Sequence, residues 1–266
     1  MKADRTQQWL ELGQTSVDDV IGRPGDATED SWSLVRACCV APVVQLIRAS
    51  NPRVFAISGP VGAGKSTVAR AVASSLGNVG KRAVALSLDD FYFPRKERER
   101  RGIPWRAAPG SHDIDLAVET LAAVQDGSQP LVLPRFDPSR DDRSSDEYLE
   151  DAPDVVLFDG WIIGYDRQGY DRILPFLDWH LHLDVPKDVA KERRFARETT
   201  LREETGRAFT PEKMQQFWDA VLAPGFDTWV PASAAHADIV VRFGEAGPRC
   251  LVDPRLDEFL PDARGS

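Results

Sequence analysis

The stretch that decides the fold is Gly59-Pro60-Val61-Gly62-Ala63-Gly64-Lys65-Ser66, which fits the pattern G-x-x-x-x-G-K-[ST]. It lies between the apolar run RVFAIS and the helical pattern TVARAVASSLG. Glycines let the backbone turn tightly enough for consecutive N–H groups to converge on a phosphate, and the helix expected from Ser66 points its positive end there. Lys65 adds a mobile charge, and the Ser66 hydroxyl is suited to bind Mg²⁺. The sequence therefore predicts a nucleoside triphosphate site formed by Gly59, Pro60, Val61, Gly62, Ala63, Gly64, Lys65, Ser66 and Thr67.

The composition is that of an ordinary globular protein, with 266 residues, 42% hydrophobic and 28% charged. A formal net charge of −9 disfavours general binding to nucleic acids or anionic membranes. No apolar run approaches the roughly 18 residues of a membrane span, and the N-terminus lacks the apolar stretch of a secretory signal. Three cysteines, of which Cys38 and Cys39 are adjacent, form neither a disulfide framework nor a metal-ligand spacing. We expect a cytoplasmic protein with reduced, buried cysteines and with no nucleic-acid or membrane partner.

Short apolar runs that alternate with helical patterns are typical of a parallel sheet with crossover helices. The runs are RVFAIS, AVALSL, DVVLFDG, WHLHLDV and DIVVRF. Residues 1–50 precede them and have the spacing of a helical extension, with an interruption at Pro42 and a stop at Asn51-Pro52. The chain is thus divided into an N-terminal extension, 1–50, and an α/β domain, 51–266. Side chains of the extension fit either the core or a second subunit, which leaves a homodimer open: Trp9, Leu10 and Leu12.

Two of the apolar runs end in carboxylates, at the sheet edge where open α/β sheets bind ligands. Asp89 and Asp90 follow AVALSL, and Asp159 ends DVVLFDG. Phosphoryl transfer needs a base or orienting group for a hydroxyl, a magnesium ion and positive charge. Asp89 is the candidate base, Asp159 the candidate that positions Mg²⁺, and Asp90 is expected to point away because side chains alternate along an extended chain. The alternative is that these aspartates cap helices or turns.

Two segments carry many charges. Arg95–Arg106 is mostly basic, and Lys191–Arg207 mixes arginines with glutamates. A charge run by itself indicates a solvated face.

Four blocks carry a resemblance to a known family: SLDDFY at 87–92, GSHD at 110–113, LPRFDPSRDDR at 133–143 and LFDGWIIG at 157–164. They resemble those of D-glycerate 3-kinases and of relatives in the phosphoribulokinase, uridine kinase and pantothenate kinase superfamily. The stretch 221–240 is more similar to uridine kinases. The resemblance covers about residues 53–243.

The resemblance implies an α/β three-layer P-loop kinase fold with a five-stranded parallel sheet of order 2-3-1-4-5 and an arginine-rich lid at about 191–207. It implies that Asp89 is the general base, that Lys65 and Ser66 bind phosphate and Mg²⁺, and that Asp159 stands at the family's acidic position. A further set would contact the acceptor: Asp89, Tyr92, His112, Asp113, Arg135, Asp137 and Arg143. Lid arginines would fold over ATP, with Arg194 and Arg197 as the catalytic candidates beside Arg193 and Arg202, and Arg95–Arg106 would form a second flap.

The implied activity is an ATP-dependent kinase acting on a hydroxyl of a small metabolite, with ATP and Mg²⁺ as cofactors. D-Glycerate is the first candidate acceptor, since a planar guanidinium grips a carboxylate at two points. Uridine or another nucleoside, pantothenate and sugar-like alcohols stay open. An alternative from another class is a regulatory P-loop ATPase that uses hydrolysis as a clock, and a third is a pseudokinase scaffold that binds without turnover. A GTPase is disfavoured because the only asparagines, Asn51 and Asn78, cannot supply the guanine-binding Asn-Lys-x-Asp element.

Overall fold

The computed structural model describes residues 2–14, 29–206, 208–244 and 247–260. Strands in this part of the chain are β1 (Ala3–Asp4), β2 (Val54–Ser58), β3 (Ala83–Ser87), β4 (Leu131–Leu133), β5 (Phe136–Asp137), β6 (Asp142–Arg143), β7 (Glu147–Leu149), β8 (Val155–Gly160), β9 (Trp179–Asp184), β10 (Ile239–Gly244) and β11 (Gly247–Val252).

The central sheet has the order β1-β11-β10-β9-β2-β8-β3. Its five parallel strands, β3-β8-β2-β9-β10, confirm the predicted order 2-3-1-4-5. Two antiparallel strands extend it, because β11 pairs with β10 and β1 pairs with β11. Neither strand is evident in the sequence, since β1 has only two residues and β11 begins with Gly247-Pro248, which is typical of a turn. Two short hairpins, β4-β7 and β5-β6, lie outside the main sheet.

The helices are α1 (Thr6–Gln14), α2 (Glu29–Val35), α3 (Ala41–Ser50), α4 (Lys65–Asn78), α5 (Arg95–Arg100), α6 (Ile114–Asp126), α7 (Lys187–Thr205), α8 (Pro211–Phe217) and α9 (Ala223–His236). Short 3-10 turns cover Leu88–Phe91, Tyr170–Phe176 and Pro254–Leu256.

A π-helical turn precedes each of two Ala-Pro pairs. Arg36–Val40 joins α2 to α3 before Ala41-Pro42, and Trp218–Leu222 joins α8 to α9 in the same way. Proline has no N–H to donate, and a wider turn before it accommodates the missing hydrogen bond. The interruption predicted at Pro42 is therefore a π turn inside a continuous helix. The predicted stop is confirmed, since Asn51 adopts a left-handed φ of 48° and donates its N–H to the Ile47 carbonyl.

The core lies on both faces of the sheet. The N-terminal helices and α4 cover one face, and α6, α8 and α9 cover the other. Trp9 is fully buried, and its indole N–H donates to the Cys38 carbonyl at 2.7 Å. Leu10 and Leu12 pack against the same cluster, so these three residues cover the core of their own chain. The division of the chain at residue 50 stays a prediction, and residues 1, 15–28 and 261–266 lie outside the described part.

One described helical stretch, Trp32–Ser50, is long and apolar enough to cross a membrane by length and composition. Its apolar side chains from Val40 to Ile47 are buried against the sheet, as those of a core helix are. The same stretch holds Cys38 and Cys39, which are free and buried like Cys250, as predicted. Burial raises the pKa of the Cys38 thiol to about 11, so it stays protonated.

Candidate active site

The phosphate-binding loop follows β2 and leads into α4, which begins at Lys65, one residue earlier than predicted. Gly62 and Gly64 adopt φ values of 76° and 88°, which side-chain-bearing residues rarely reach. A Cβ on Gly59 would lie 2.4 Å from the Leu183 carbonyl oxygen, and one on Gly62 would lie 2.8 Å from that of Ala190. The loop therefore packs closely against β9 and α7, which only glycine permits.

Lys65 lies across this loop, because its Nζ donates to the Pro60 carbonyl at 2.8 Å. Burial lowers the pKa of the Lys65 ammonium to about 8. The negative charges of Asp159 and Asp89 oppose that shift, and the positive charge of Arg197 adds to it. The charges of both predicted carboxylates and of one lid arginine therefore act on the lysine, as a phosphoryl-transfer site requires.

Ser87 connects the two strand-end carboxylates, and the sequence analysis did not single it out. It lies opposite Asp159 in the β3–β8 register. Its hydroxyl donates to Asp159 Oδ1 at 2.7 Å and accepts the backbone N–H of Asp89 at 3.2 Å. The signal that could have found it is the capping pattern Ser87-Leu88-Asp89-Asp90, in which a serine is followed three residues later by a carboxylate.

Asp89 lies in the 3-10 turn Leu88–Phe91 at the carboxyl end of β3. Its carboxylate accepts a hydrogen bond from the Tyr92 hydroxyl. Although the residue is solvent-exposed, protein atoms around it remove part of its water, and this desolvation raises the pKa of the carboxyl. The hydrogen bond from Tyr92 acts against that shift, the charge of Asp159 adds to it, and Lys65 opposes it. Asp89 therefore shares its electrostatic environment with the phosphate-binding lysine.

Asp90 points away from Asp89, as expected, but for another reason. The two residues lie on a 3-10 turn rather than on an extended chain. Asp90 accepts the backbone N–H of Ser87 at 3.0 Å, and its other oxygen accepts that of Phe136 at 3.2 Å. It also receives Arg135 Nη1 at 3.0 Å. Asp90 holds the 134–136 segment against the end of β3.

Arg135 is engaged within the protein. Besides Asp90, its guanidinium donates to Glu147 from Nε at 3.0 Å and to the Ala85 carbonyl at 3.1 Å. A guanidinium whose N–H groups already donate to protein acceptors stabilises the fold and has few donors left for a ligand. Its predicted contact with an acceptor stays a prediction.

Tyr92 and His112 stack at 4.3 Å between ring centroids and 26° between planes. Tyr170 accepts the Gly110 N–H at 3.1 Å, and its hydroxyl lies 2.6 Å from His112 Nδ1. The direction of that hydrogen bond is set by the tautomer of His112, and the other ring nitrogen, Nε2, is buried without a partner among the described residues. Burial, aided by the charge of Arg98, lowers the pKa of His112 to about 3, so the ring is neutral.

The other predicted acceptor residues have different surroundings. Asp113 caps α6 by accepting the Leu116 N–H at 3.2 Å, and Arg143 Nη2 lies 3.5 Å from its carboxylate. Asp137 accepts the backbone N–H and the hydroxyl of Ser139 at 2.8 and 2.6 Å. Those hydrogen bonds lower the pKa of the exposed Asp137 carboxyl. Asp137 is thus engaged in a local turn.

Two arginines of the basic segment Arg95–Arg106 act on the region around Tyr92 and His112. Arg98 on α5 is 2% exposed and pairs with Asp141 at 2.6 Å, while its Nε has no partner among the described residues. Arg106 lies 3.5 Å from the same carboxylate, and its charge acts on the Tyr92 phenol. The charges of these two arginines therefore act on the Tyr92–His112 pair.

The lid segment forms most of α7, and its arginines separate into two sets; Arg207 lies outside the described residues. Arg193 Nη1 lies 3.5 Å from the Gly62 carbonyl, and Arg197, four residues later on the same helix face, acts on Lys65. Arg194 instead pairs with Glu198, and Arg202 donates to the Phe209 carbonyl at 3.3 Å. The structure thus brings Arg193 and Arg197 to the phosphate loop, and the catalytic role of Arg194 stays a prediction.

Comparison with known proteins adds a family model, described as "Phosphoribulokinase / Uridine kinase family", that matches residues 54–246. The chain belongs to the phosphoribulokinase/uridine kinase family. It is accordingly a P-loop kinase, a phosphotransferase with a hydroxyl acceptor.

Sequence relatives of the kinase include two uridine kinases. That of Streptococcus gordonii is 24% identical over 220 residues, which cover 81% of this chain and 99% of the relative. That of Halobacterium salinarum is 28% identical over 190 residues, covering 71% and 79%.

Solved structures similar to the kinase include D-glycerate 3-kinase from Cryptococcus neoformans, with a TM-score of 0.60, 20% identity and coverage of 72% of this chain and 85% of that one. Phosphoribulokinase from Rhodobacter spheroides has a TM-score of 0.51, 13% identity and coverage of 71% and 70%. At these identities the likeness shows the fold, and it confirms the predicted fold class.

The donor set of the kinase fits Mg²⁺. This ion keeps several waters and takes one or two protein oxygens together with substrate phosphates. No described group of three or more His, Cys, Asp or Glu side chains forms a metal cage. Ser66 is exposed in the first turn of α4, and Asp159 accepts Ser87 on Oδ1, so its second oxygen can serve another partner. These residues therefore suit a Mg²⁺ ion that binds together with the nucleotide phosphates, rather than a structural metal held by protein ligands alone.

Proposed function

We propose that this kinase transfers the γ-phosphoryl group of ATP to a hydroxyl of a small anionic metabolite, with D-glycerate as the first candidate. Lys65 and the loop at 59–67 hold the phosphates, while Ser66 and Asp159 would hold Mg²⁺, which neutralises charge on the transferring group. Asp89 accepts the proton of the attacking hydroxyl, and Tyr92 orients the carboxylate by its hydrogen bond. Arg193 and Arg197 add positive charge over the phosphates and exclude water.

The observation that carries this proposal is the position of Asp89 beside the second strand-end carboxylate: the Ser87 hydroxyl donates to Asp159 at 2.7 Å and accepts the Asp89 N–H at 3.2 Å. The charges of both carboxylates also act on Lys65. A carboxylate beside the phosphate-binding lysine suits activation of an attacking hydroxyl, and the acceptor dependence of ADP release distinguishes an acceptor hydroxyl from water. The preference for an anion rests on three arginines: the charges of Arg98 and Arg106 act on His112 and Tyr92, and Arg143 lies 3.5 Å from Asp113, the residue that follows His112.

Uridine is the second candidate, because the sequence relatives at 24% and 28% identity are named uridine kinases. We also infer a cytoplasmic location, and the homodimer stays a prediction.

The test is a panel of acceptors. D-Glycerate, uridine, pantothenate and ribose are each incubated with MgATP, ADP release is followed, and the product is identified by mass spectrometry. We expect acceptor-dependent ADP release with D-glycerate and a product heavier by one phosphoryl group. Lys65→Ala is the control, because it must abolish turnover with every acceptor and so excludes a contaminating kinase. Turnover with uridine alone favours the second candidate, and equal ADP release with and without acceptors contradicts phosphoryl transfer altogether.

A further inference from the structure

A buried polar cluster lies behind the phosphate-binding loop. It consists of Ser58, His180, His182 and Ser233, which are between 0% and 2% exposed. The hydroxyl of Ser58 is its centre: His180 Nε2 lies at 2.5 Å, His182 Nδ1 at 2.8 Å and Ser233 Oγ at 2.9 Å. We propose that this cluster positions the phosphate-binding loop relative to Asp159, and that its four members are positioning residues for nucleotide binding.

The cluster joins three parts of the active site. Ser58 is the last residue of β2, immediately before Gly59. Ser233, on α9, hydrogen-bonds the Ile163 carbonyl, four residues beyond Asp159. His182 lies opposite Ser58 in the β2–β9 register. One hydroxyl thus fixes the start of the loop to β9 and, through Ser233, to the segment that follows the candidate magnesium residue.

The hydrogen-bonding capacity of Ser58 explains why this arrangement is specific. A hydroxyl has one proton and two lone pairs, so three partners saturate it. Ser233 gives its own proton to the Ile163 carbonyl, so each of the two neutral imidazoles must present to Ser58 the tautomer that its one proton and two lone pairs leave open. Replacing any member of the cluster leaves a buried polar atom without its hydrogen-bond partner. The surrounding backbone must then move to compensate for the lost hydrogen bond.

Electrostatics and packing indicate that His180 and His182 are uncharged. Burial lowers the pKa of His180 to about 3 and that of His182 well below its usual value. The ammonium of Lys65 acts on His182, so the cluster lies within electrostatic range of the phosphate-binding lysine. Gly164, with a φ of 91°, leaves room for the cluster, since a Cβ there would lie 2.8 Å from His180 Cε1.

The test measures nucleotide affinity apart from stability, and it needs no acceptor. Binding of the fluorescent analogue mant-ATP is titrated on the full chain at 25 °C, and thermal unfolding is recorded for each variant. Ser58→Ala is compared with Ser75→Ala, which removes an equally buried hydroxyl that bonds only the Ala71 carbonyl of its own helix. We expect Ser58→Ala to weaken mant-ATP binding about tenfold and Ser75→Ala to leave it unchanged, even where both lower the unfolding temperature.

Isosteric variants keep the proposal testable if Ser58→Ala folds poorly. His180→Gln retains a polar atom near the position of Nε2, whereas His180→Leu has none. We expect the glutamine variant to bind mant-ATP within about threefold of the wild type and the leucine variant to bind about tenfold more weakly. Wild-type affinity in the folded Ser58→Ala and His180→Leu variants would overturn the positioning role and leave the cluster a packing feature. Because mant-ATP binding is independent of the acceptor, this outcome is distinct from failure of the proposed function.

Discussion

The nucleotide side and the predicted acceptor side of the candidate active site are built differently. On the nucleotide side, backbone conformation sets the geometry, through left-handed glycines and close approaches of Gly59 and Gly62 to neighbouring carbonyls. On the acceptor side, ion pairs between residues distant in sequence set it, such as Arg135 with Asp90 and Arg98 with Asp141. Backbone geometry follows from a short local sequence pattern, whereas ion pairs depend on the fold that brings their members together.

The largest expected effect separates two neighbouring carboxylates. Asp89→Asn removes the base and should lower kcat about 10²- to 10⁴-fold, with mant-ATP affinity and unfolding midpoint unchanged. Asp90→Asn removes a charge that accepts hydrogen bonds from Ser87, Arg135 and Phe136, and we expect a loss of about 1.5–3 kcal/mol in the free energy of unfolding. The loss of kcat is measured as turnover with the acceptor found in the panel, and the loss of stability is measured by urea unfolding. An Asp89→Asn variant that turns over at the wild-type rate contradicts the assignment of the base.

The next effect tests the nucleotide side. Gly62→Ala and Gly64→Ala impose the same strain of a positive φ, about 1–2 kcal/mol, but only Gly62 would also bring its Cβ against the Ala190 carbonyl. We expect Gly62→Ala to weaken mant-ATP binding at least about tenfold and Gly64→Ala to weaken it less. Equal losses in the two variants would show that strain alone, and not the contact with α7, determines the affinity.

This difference between the two sides also explains which features could be predicted from the sequence. The loop at 59–66, the five parallel strands and their carboxylates follow from local patterns, and the structure has them. The partners of Arg135 lie 45 and 12 residues away, so no local pattern reveals that its guanidinium is already bonded. The Ser58 cluster was missed for the same reason, since its members come from three separate elements. Ser87 differs, because its capping pattern was visible in the sequence.

On the acceptor side, two arginines that look alike in sequence should respond differently. Arg143 donates from Nη1 to the Asp90 carbonyl at 3.1 Å and makes a 3.5 Å contact with Asp113, so it has fewer protein partners than Arg135 and more donors left for a carboxylate. Arg143→Gln should therefore raise the KM for D-glycerate about tenfold and leave that for uridine unchanged. Arg135→Gln should lower stability by about 1.5–3 kcal/mol through its lost bonds to Asp90 and Glu147, with a smaller change in KM. Steady-state kinetics and urea unfolding of both variants measure the difference. The reverse pattern would assign the acceptor contact to Arg135.

The smallest effect returns to the nucleotide side and concerns pH. The pKa of Lys65 is lowered to about 8 in the folded protein from a usual value of 10.5. Between those two pH values the unfolded chain binds a proton that the folded chain does not, so this residue makes stability rise with pH across that window. Below pH 8 its destabilising effect is fully present and does not change with pH. The contribution cannot exceed about 1.4 kcal/mol per pH unit.

Other groups titrate in the same range, since the raised pKa of the Cys38 thiol gives the opposite slope. The measurement is therefore the difference in unfolding free energy between the wild type and Lys65→Met from pH 7 to 11. We expect the wild type to gain relative to the variant above pH 8, and we expect MgATP to remove that gain because phosphate restores the ammonium to its charged form. A difference that does not change with pH would mean that Lys65 is fully hydrated and does not lie across the loop.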